Sequence, residues 1–540
     1  MPIQDWFLSP TERGNAATHL DAGRPPEQAW STGNRVRPLI HGAVYFAELV
    51  AAVQRAVAGD LLMFVDWRGD PDERMTAEAG SEVTKVLCEA ASRGVHVYGL
   101  IWRSHLDKFQ FSAAENRHLG ELIEEAGGCC LLDMRVRTGG SHHQKFVVLR
   151  YRDRPELDVA FLGGIDLCHS RRDDAAHAGD PQSQPMAAVY GTTPPWHDIQ
   201  LAIHGPAVAD VETVFRERWN DPQPLSRSPI RRVADRIRGD DEGNRVLPPQ
   251  APPPAAAGPH SVQLLRTYAR RLGGYPFAPK GERSVARGYL KALTQARRLI
   301  YIEDQYLWSR DVASWIADAL RANSELYLIA VLPLHPDQDG LAMPPNLIGR
   351  EAALSLLRAA APDRVGIYGI ENRDGVPIYV HAKVCIIDDV WVTTGSDNFN
   401  RRSWTHDSEL SAAVWDDTPA THPTRALTAR RADGASADQP RDYPRALRLT
   451  LAAEHLGLGE TDAGPELTEP AAAFAAFADS AAALQRWYDS GKHEPRPPGQ
   501  LRPLPPHPLP ATTRLWATPL YRALYDPDGR TLPARLRNRY

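Results

Sequence analysis

The same histidine–lysine spacing occurs twice, once in each half of the chain, and this repeat restricts the possible folds more than any other feature. His143 and Lys145 stand in HHQKFVVL, and His381 and Lys383 stand in HAKVCII. The chain has only seven lysines and 19 histidines, so chance predicts roughly 0.25 such triplets. We therefore interpret the chain as a duplicated unit.

Helix and strand patterns surround both copies in the same order. In the first half, AVYFAELVAAVQRAVAGDLLMFVDW and TKVLCEAASRGVHVYGLIW each indicate an amphipathic helix followed by an apolar strand. SVARGYLKALTQARRLIYIEDQYLW and DVASWIADALRANSELYLIAVLPL repeat that order in the second half. This alternation predicts an α/β sandwich of two pseudo-twofold-related lobes, each with a mixed, mainly parallel sheet flanked by helices.

Changes in composition predict where the lobes begin and end. The first lobe covers residues 1–220, a proline-rich linker covers 221–262, the second lobe covers 263–460 and a proline-rich extension covers 461–540. Within the C-terminal part, RALRLTLAAEHLGL has helical spacing and a glycine stop, which predicts a docked helix. DDTPATHPTRALTARRADGASADQPRDYP is expected to be a surface loop, and PRPPGQLRPLPPHPLP an extended surface segment.

Charge and cysteine content narrow the class of protein. The formal charge is −5 and the isoelectric point is about 6.4, which disfavours binding to nucleic acid through bulk positive charge. The N-terminus lacks the pattern of a secretory signal or a membrane anchor, so we expect a cytoplasmic protein. The five cysteines form no CxxC pair and are expected to be reduced.

The spacing of the two motifs suggests phosphoryl transfer. On an extended strand, residues i and i+2 project from one face, so each histidine is expected to point with its lysine into a shared pocket. One neutral imidazole can attack phosphorus while the other, protonated, donates to the leaving oxygen. The lysines would hold the phosphate oxygens, and carboxylates would set the two histidine pKa values apart.

The ordered motifs resemble those of the phospholipase D superfamily, which is named for its duplicated HKD motif. HHQK, FLGGIDLC, WHDIQLAIHGPAV, IYIEDQY, GSDNFNRRSWTHDSEL and LRLTLAAEHLG are similar to segments of the eukaryotic-type enzymes and their bacterial relatives. The resemblance spans roughly residues 35–460.

The resemblance implies a role for each matching residue. His143 would be the nucleophile and His381 the general acid, while Lys145 and Lys383 would bind phosphate. Asp388 would complete the second motif. The carboxylates expected to orient the imidazoles are Asp173 and Glu409, with Asp407 as a competitor for the role of Glu409. Phosphate is also expected to contact Ser396, Asn398 and Gly164.

The first motif departs from the family pattern at one position. Arg150 stands where the second copy has Asp388. If that aspartate only supports a strand turn, its loss would change local packing and leave catalysis intact. If it organises the site, the first half would be impaired.

Some nearby residues allow both structural and functional interpretations. His142 is expected to be structural, because adjacent residues of a strand face opposite ways. The loops that carry Trp67, Arg68 and Gln305 follow strands, where substrate contacts often collect. A metal role for the motif histidines is disfavoured because lysine is a poor neighbour for a cation.

The resemblance implies a phosphodiesterase that cleaves the distal phosphate ester of a glycerophospholipid through a phosphohistidine. Water would give phosphatidic acid, and an alcohol would give transphosphatidylation. We expect a monomer at a peripheral membrane surface, with no nucleic acid partner and no cofactor or metal. The alternatives are a cardiolipin-synthase-like phosphatidyltransferase, a nucleic acid phosphodiesterase, or a catalytically silent phospholipid- or phosphate-binding protein.

Overall fold

The computed structural model describes residues 2–104, 113–225, 246–420, 439–459, 465–537 and 539–540. Its strands are β1 Ser31–Ile40, β2 Leu61–Asp66, β3 His96–Trp102, β4 Cys129–Asp133, β5 Phe146–Arg150, β6 Val159–Gly163, β7 Trp196–His197, β8 Ile199–His204, β9 His260–Tyr268, β10 Glu282–Arg283, β11 Leu299–Asp304, β12 Tyr327–Val331, β13 Val365–Ile370, β14 Tyr379–Val380, β15 Lys383–Ile387, β16 Trp391–Gly395, β17 Glu409–Asp416 and β18 Leu501–Pro503.

Helices follow the same alternation along the chain. They are α1 Pro10–Arg13, α2 Gly42–Arg55, α3 Val83–Ser92, α4 Ala113–Glu125, α5 Ala207–Trp219, α6 Ser284–Gln295, α7 Arg310–Ala322, α8 Met343–Ala360, α9 Arg401–Thr405, α10 Asp442–Leu456, α11 Pro470–Asp489, α12 Ala511–Leu520 and α13 Leu532–Leu536. The four predicted helix–strand pairs are confirmed as α2–β2, α3–β3, α6–β11 and α7–β12. None of the helices in the described part of the chain is long and apolar enough to cross a membrane.

The order of strands confirms the duplication and the α/β class. The sheet runs β18-β13-β12-β11-β15-β16-β17-β9-β1-β8-β6-β5-β2-β3-β4. From the β9–β1 pair outward, the two halves have matching connectivity: β17 corresponds to β8, β16 to β6, β15 to β5, β11 to β2, β12 to β3 and β13 to β4. The lobes therefore join through one continuous sheet.

The expectation of mainly parallel sheets was wrong. In the main sheet, parallel pairing occurs only in β2–β3–β4 and β11–β12–β13, where helices cross between successive strands. The central strands pair antiparallel. β5 is joined to β6, and β15 to β16, without a crossover helix. Strands joined by such a short connection pair antiparallel.

The C-terminal segments are more integrated than their composition predicts. The docked helix is confirmed as α10, which ends at Gly457 in the left-handed conformation. The segment predicted to be an extended surface stretch instead contains β18, which pairs antiparallel with β13 and buries Leu501. A short edge strand pairs through only a few backbone hydrogen bonds, so it can form even though the prolines around it lack an amide donor.

The structure describes only parts of the segments predicted to be a surface loop and a linker. The expected surface loop over residues 416–444 lies largely outside the described residues. Of the expected linker, residues 226–245 lie outside them, and β9 begins at His260. Near the N-terminus, Trp6, Phe7 and Leu8 pack in a core cluster with residues of the second half, including Val285 and Trp415. The lobe boundaries stay a prediction.

Candidate active site

Both motif histidines lie just before a central strand and line one cleft between the lobes. His143 precedes β5 and His381 precedes β15. The cleft contains about 680 Å³ of open space. Its wall also includes Trp67, Asp166, Ser170, Arg171, Gln184, Met186, Trp196, Gln305, Tyr306, Asp337 and Tyr379. The expected meeting of the two motifs is therefore present in the structure.

Each imidazole is oriented by a carboxylate from the opposite lobe. His143 Nδ1 lies 2.9 Å from Glu409 Oε2, and His381 Nδ1 lies 2.6 Å from Asp198 Oδ2. Both carboxylates are fully buried at the starts of β17 and β8. Because Nδ1 of each ring is engaged, Nε2 is the nitrogen left to act in the cleft.

The structure corrects the prediction that Asp173 orients an imidazole of the site. Asp173 instead accepts hydrogen bonds from the backbone amides of Trp196, Asp174 and Gly179. It thereby fixes the loop before β7 rather than a catalytic ring. Asp198 takes the predicted role because it immediately precedes β8, the strand that corresponds to β17 in the other lobe.

Gly164 and Ser396 occupy equivalent places but support their carboxylates differently. Ser396 Oγ donates to Glu409 Oε2 at 2.6 Å and accepts from the amide of Leu410. At Gly164, a Cβ atom would stand 2.3 Å from Asp198 Oδ1, so the missing side chain makes room for that carboxylate. The Gly164 amide donates to Ile199 O. The prediction that Gly164 binds phosphate is therefore wrong, since its only donor is already engaged.

The two lysines lie buried behind the histidines. Lys145 Nζ donates to His143 O at 2.8 Å and lies 3.6 Å from Asp166 Oδ2. Lys383 Nζ donates to His381 O and, at 3.3 Å, to Gln305 Oε1. Lys383 also lowers the pKa of His143, so its charge acts across the boundary between the lobes. An anion in the cleft would thus meet both ammonium groups.

Electrostatics make the two halves of the site unequal. Burial, followed by repulsion from Asp407, raises the pKa of Glu409 to about 8. Burial also acts to raise the pKa of Asp198, but His381 and Lys383 outweigh it and hold that pKa well below its usual range. The pKa values of His143 and His381 are both lowered by burial and by the neighbouring lysine, although Asp198 partly opposes this at His381. His381 is consequently the ring with an ionised partner.

Asp388 lies away from the cleft, in the turn after β15. Its carboxylate accepts from the backbone amides of Arg297, Arg298 and Leu299 at 2.7 to 2.8 Å. The prediction of a catalytic contact for Asp388 is therefore wrong. The aspartate sits five residues beyond Lys383, at the opposite end of the strand from the histidine.

Arg150 occupies the corresponding strand end in the first lobe and forms a different structural contact. It pairs with Asp158 and Glu212 at 2.8 Å. The backbone is held there by Asp60, which accepts from the amides of Val57 and Arg152. The change of residue thus alters the packing at this end of the strand, where no cleft residue lies.

The other predicted residues have distinct positions. Asn398 is buried, and its Oδ1 has no hydrogen-bond partner among the described residues. Asp407 accepts from the amide of Ser141 and from Arg402 Nε, so it supports the loop before His143. His142 is buried, with Nε2 2.9 Å from Gln144 Oε1. Both strand-end loops reach the cleft, through Trp67 and Gln305.

Sequence reasoning missed Asp198 and the cation Arg171. Asp198 stands in WHDIQL, ahead of an apolar strand, just as Glu409 stands in HDSEL. Comparing the two strands would have indicated an acidic residue at the start of each. Arg171 lies in the cleft with its guanidinium 4.0 Å from the centre of the Trp196 ring. No local pattern distinguishes it from the many other arginines of the chain.

The fold and the cleft define a two-lobed α/β protein in which each lobe supplies one histidine, one lysine and the carboxylate for the other lobe's histidine. Family comparisons match residues 73–333 to "Phospholipase D" and residues 289–429 to "Cardiolipin synthase, PLD-like domain". Phospholipase D alpha 1 of Cynara cardunculus is 26% identical over 494 residues, covering 69% of this chain and 58% of that protein. Phospholipase D beta 2 of Arabidopsis thaliana is 26% identical over 424 residues, covering 60% and 44%.

Solved structures with some similarity include the phosphatidylserine synthase of Haemophilus influenzae Rd KW20. It is 12% identical with a TM-score of 0.49, covering 71% of this chain and 82% of that chain. Nuc of Salmonella typhimurium, a phospholipase D family member, is 20% identical with a TM-score of 0.21, covering 29% and 84%. The two family matches together span residues 73–429, and the curated relatives are phospholipases D, so the chain is similar to the phospholipase D superfamily. This confirms the resemblance found in the sequence.

Proposed function

We propose that this protein cleaves the distal phosphate ester of a glycerophospholipid through a covalent phosphohistidine. Attack of His143 Nε2 on phosphorus forms the N–P bond while the bond from phosphorus to the headgroup oxygen breaks. His381 gives its proton to that oxygen. Water or an alcohol then attacks the phosphohistidine, losing its proton to His381, and yields phosphatidic acid or an exchanged phospholipid.

The observation that carries the proposal is the pair of imidazoles in one cleft, each held at Nδ1 by a buried carboxylate from the other lobe. In-line displacement at phosphorus needs a nucleophile and an acid on opposite sides of the reacting atom. Lys145, Lys383 and Arg171 supply positive charge for the non-bridging oxygens.

The two carboxylates favour a particular division of roles. Asp198 stays ionised beside His381 and stabilises its imidazolium once an anionic phosphate enters the cleft. Glu409 has a pKa of about 8 and is mostly uncharged at pH 7, so it gives His143 less support as a cation. His143 therefore suits the neutral nucleophile and His381 the acid.

The lining of the cleft also favours a cationic headgroup. Trp67 and Tyr379 supply aromatic surface, and Asp337 adds a carboxylate; Trp196 already carries the Arg171 guanidinium over its ring. Aromatic faces attract ammonium groups, and the effect is larger where water is excluded. A choline or ethanolamine ester would place its ammonium among these rings while the phosphate meets the lysines.

An assay with two leaving groups tests the reaction and the roles together. His143→Ala should abolish headgroup release from phosphatidylcholine vesicles and also release of nitrophenol from a phosphatidyl nitrophenyl ester. His381→Ala should abolish the first but still release about one equivalent of nitrophenol per enzyme, because nitrophenolate needs no proton to leave while breakdown of the phosphohistidine needs His381 as the base. His142→Gln is the matched control, since that buried histidine lies outside the cleft.

Single turnovers with phosphorus-labelled lipid, quenched in alkaline detergent so that the acid-labile N–P bond survives, should trap label on wild-type protein and none on His143→Ala. If either histidine variant retains headgroup release, the two-histidine mechanism is overturned. If wild type binds the lipid without cleaving it, the enzyme proposal itself is overturned. A silent lipid-binding protein would be the remaining interpretation. Adding ethanolamine or glycerol to the wild-type assay separates hydrolysis from transfer by the product formed.

A further inference from the structure

Three buried histidines and one glutamate from distant segments meet behind the cleft, and the proposed reaction uses none of them. His41 follows β1, His177 lies in the loop after β6, His197 ends β7 and Glu454 lies in α10. The histidine side chains are at most 1% exposed, whereas Glu454 is 13% exposed. The cluster is thus enclosed by protein, with a narrow opening at the glutamate.

The distances within this cluster suit a small tetrahedral cation. Glu454 Oε1 lies 3.0 Å from His177 Nε2 and 3.3 Å from His197 Nδ1, and Oε2 lies 3.1 Å from His41 Nε2. The four ligand atoms all lie within 4.8 Å of one another. Bonds of about 2.0–2.1 Å to zinc imply ligand–ligand separations of about 3.3 Å. The three distances from the Glu454 carboxylate to the histidine nitrogens, 3.0, 3.1 and 3.3 Å, are close to that separation.

Each of the three imidazoles turns its other ring nitrogen toward an acceptor. His41 Nδ1 lies 3.2 Å from Asp198 O, His197 Nε2 lies 2.6 Å from Glu303 Oε2, and His177 Nδ1 lies 3.7 Å from Asp173 Oδ2. A histidine that binds metal ordinarily donates its second N–H to a carboxylate or a backbone carbonyl. The outer contacts therefore direct the lone pairs of His41 Nε2 and His197 Nδ1 to one centre, and the Asp173 carboxylate lies on the outer side of His177.

Glu303 is itself held in place, which strengthens that outer layer. It accepts from His455 Nε2 at 2.7 Å and from the hydroxyl of Tyr301 at 2.6 Å. Burying Glu303, Asp173 and Glu454 together concentrates negative charge around the three rings. A divalent cation at the centre would balance that charge.

We propose that His41, His177, His197 and Glu454 bind one divalent transition metal ion, with zinc as the expected ion. Three imidazole nitrogens and one carboxylate oxygen favour zinc over calcium or magnesium, which prefer all-oxygen sites. Four protein ligands make a closed site, so the ion is structural and takes no part in the phosphoryl transfer. This site goes beyond the proposed function and differs from the expectation of no metal.

Such an ion would tie helix α10 to the segment that positions the general acid. The amides of His381 and Ala382 both donate to His197 O, and Asp198 follows directly in the chain. Fixing His197 on the metal therefore fixes the backbone beneath His381 and its carboxylate. The sequence did not indicate this site because its successive ligands are 136, 20 and 257 positions apart, without a local spacing pattern.

Metal content measured on the intact protein tests the proposal without an activity assay. Wild-type protein purified without chelators or a histidine tag should contain about one zinc ion per chain by plasma mass spectrometry. After chelation, cobalt(II) should restore one equivalent and give the visible absorption of a tetrahedral N/O site. Protein that takes up no equivalent ion even in excess zinc overturns the proposal and leaves an imidazolium–carboxylate cluster as the interpretation.

Matched variants locate the ion. Glu454→Gln and His177→Ala should each lose the bound zinc and the cobalt spectrum. His260→Gln should keep both, because that buried histidine pairs only with Asp416 and the amide of Val36. Retention of zinc by both cluster variants would place the metal elsewhere and refute the site. The wild-type measurement stands even if a variant fails to fold.

Discussion

At the level of single side chains, the two motif histidines differ less in themselves than in the carboxylates that contact them. Asp198 is ionised next to His381, whereas Glu409 has a pKa of about 8 next to His143. Two chemically similar rings can therefore perform different steps. The asymmetry comes from the surroundings of each carboxylate: burial and repulsion from Asp407 raise the pKa of Glu409, whereas His381 and Lys383 hold that of Asp198 low against burial.

We expect Asp198→Asn to lower kcat for headgroup release by about 10²–10⁴-fold, because His381 loses the charge that stabilises its imidazolium. Glu409→Gln should stay within about tenfold of wild type at pH 7, because Glu409 is already mostly uncharged there. Steady-state kinetics on phosphatidylcholine vesicles, with circular dichroism to verify folding, measure both. Equal losses in the two variants would contradict the asymmetry.

The pH profile follows from the same charges. Burial lowers the pKa of Lys383 to about 8, so its ammonium is present below pH 8 and is lost above it. The profile of kcat/KM should therefore have an alkaline limb near pH 8, separate from the fall at lower pH that follows deprotonation of the proposed acid His381, whose pKa is lowered by burial and by Lys383. The acid limb should lie below the usual histidine pKa, because the pKa of His143 is lowered and its neutral form persists at lower pH.

Lys383→Arg provides the control, since arginine stays charged and should remove the alkaline limb even if kcat drops. If the alkaline limb is unchanged in Lys383→Arg, the titration of a group other than Lys383 causes it.

Strands and turns show which parts of the site the sequence could predict. His143, Lys145, His381 and Lys383 were identifiable because each pair is local and precedes an apolar strand. Asp198 was not identified from a local pattern, because it contacts His381 only through the packing of the two lobes against each other. The helix–strand order was predictable from periodicity. The pairing direction was not, since short turns and crossovers leave similar strand patterns in the sequence.

The turn after β15 gives a separate prediction for Asp388. Asp388→Ala removes the acceptor for the three amides of residues 297–299 and should lower the free energy of unfolding by about 2 kcal/mol. Because the residue lies away from the cleft, kcat per folded molecule should remain near that of wild type. Urea unfolding and active-site titration with labelled lipid separate the two effects. A large fall in kcat at unchanged stability would return Asp388 to the catalytic machinery.

For the protein as a whole, the C-terminal extension braces the active site as well as completing the sheet. Arg402 donates its amide to Asp526 Oδ1 and its Nε to Asp407, which in turn accepts from the amide of Ser141 near His143. Arg137 donates to Gly529 O in the same region. Composition alone could not predict this, because the contacts join segments more than 100 residues apart.

The same extension carries a concentration of exposed apolar side chains that suits a lipid surface. Between positions 515 and 536, the exposed large hydrophobic residues are Leu515, Trp516, Leu520, Leu524, Leu532 and Leu536. Arg514, Arg522 and Arg535 stand among them. Leucine and tryptophan beside arginine are typical of segments that bind anionic interfaces. Because Tyr521 packs on Trp308, next to the aromatic wall of the cleft, a bilayer bound here would lie near the proposed substrate.

We therefore expect the double variant Leu515→Ser, Leu536→Ser to bind anionic phospholipid vesicles at least about tenfold more weakly, since both leucines are 80% exposed and each would bury apolar surface in the bilayer. Vesicle sedimentation measures this directly. Turnover of a short-chain, monomeric phospholipid should be unchanged, because the cleft is untouched. Leu272→Ser is the control, being similarly exposed on the turn between β9 and β10. Unaltered vesicle binding by the double variant, or an equal loss in the control, would exclude the C-terminal segment as the lipid-binding surface.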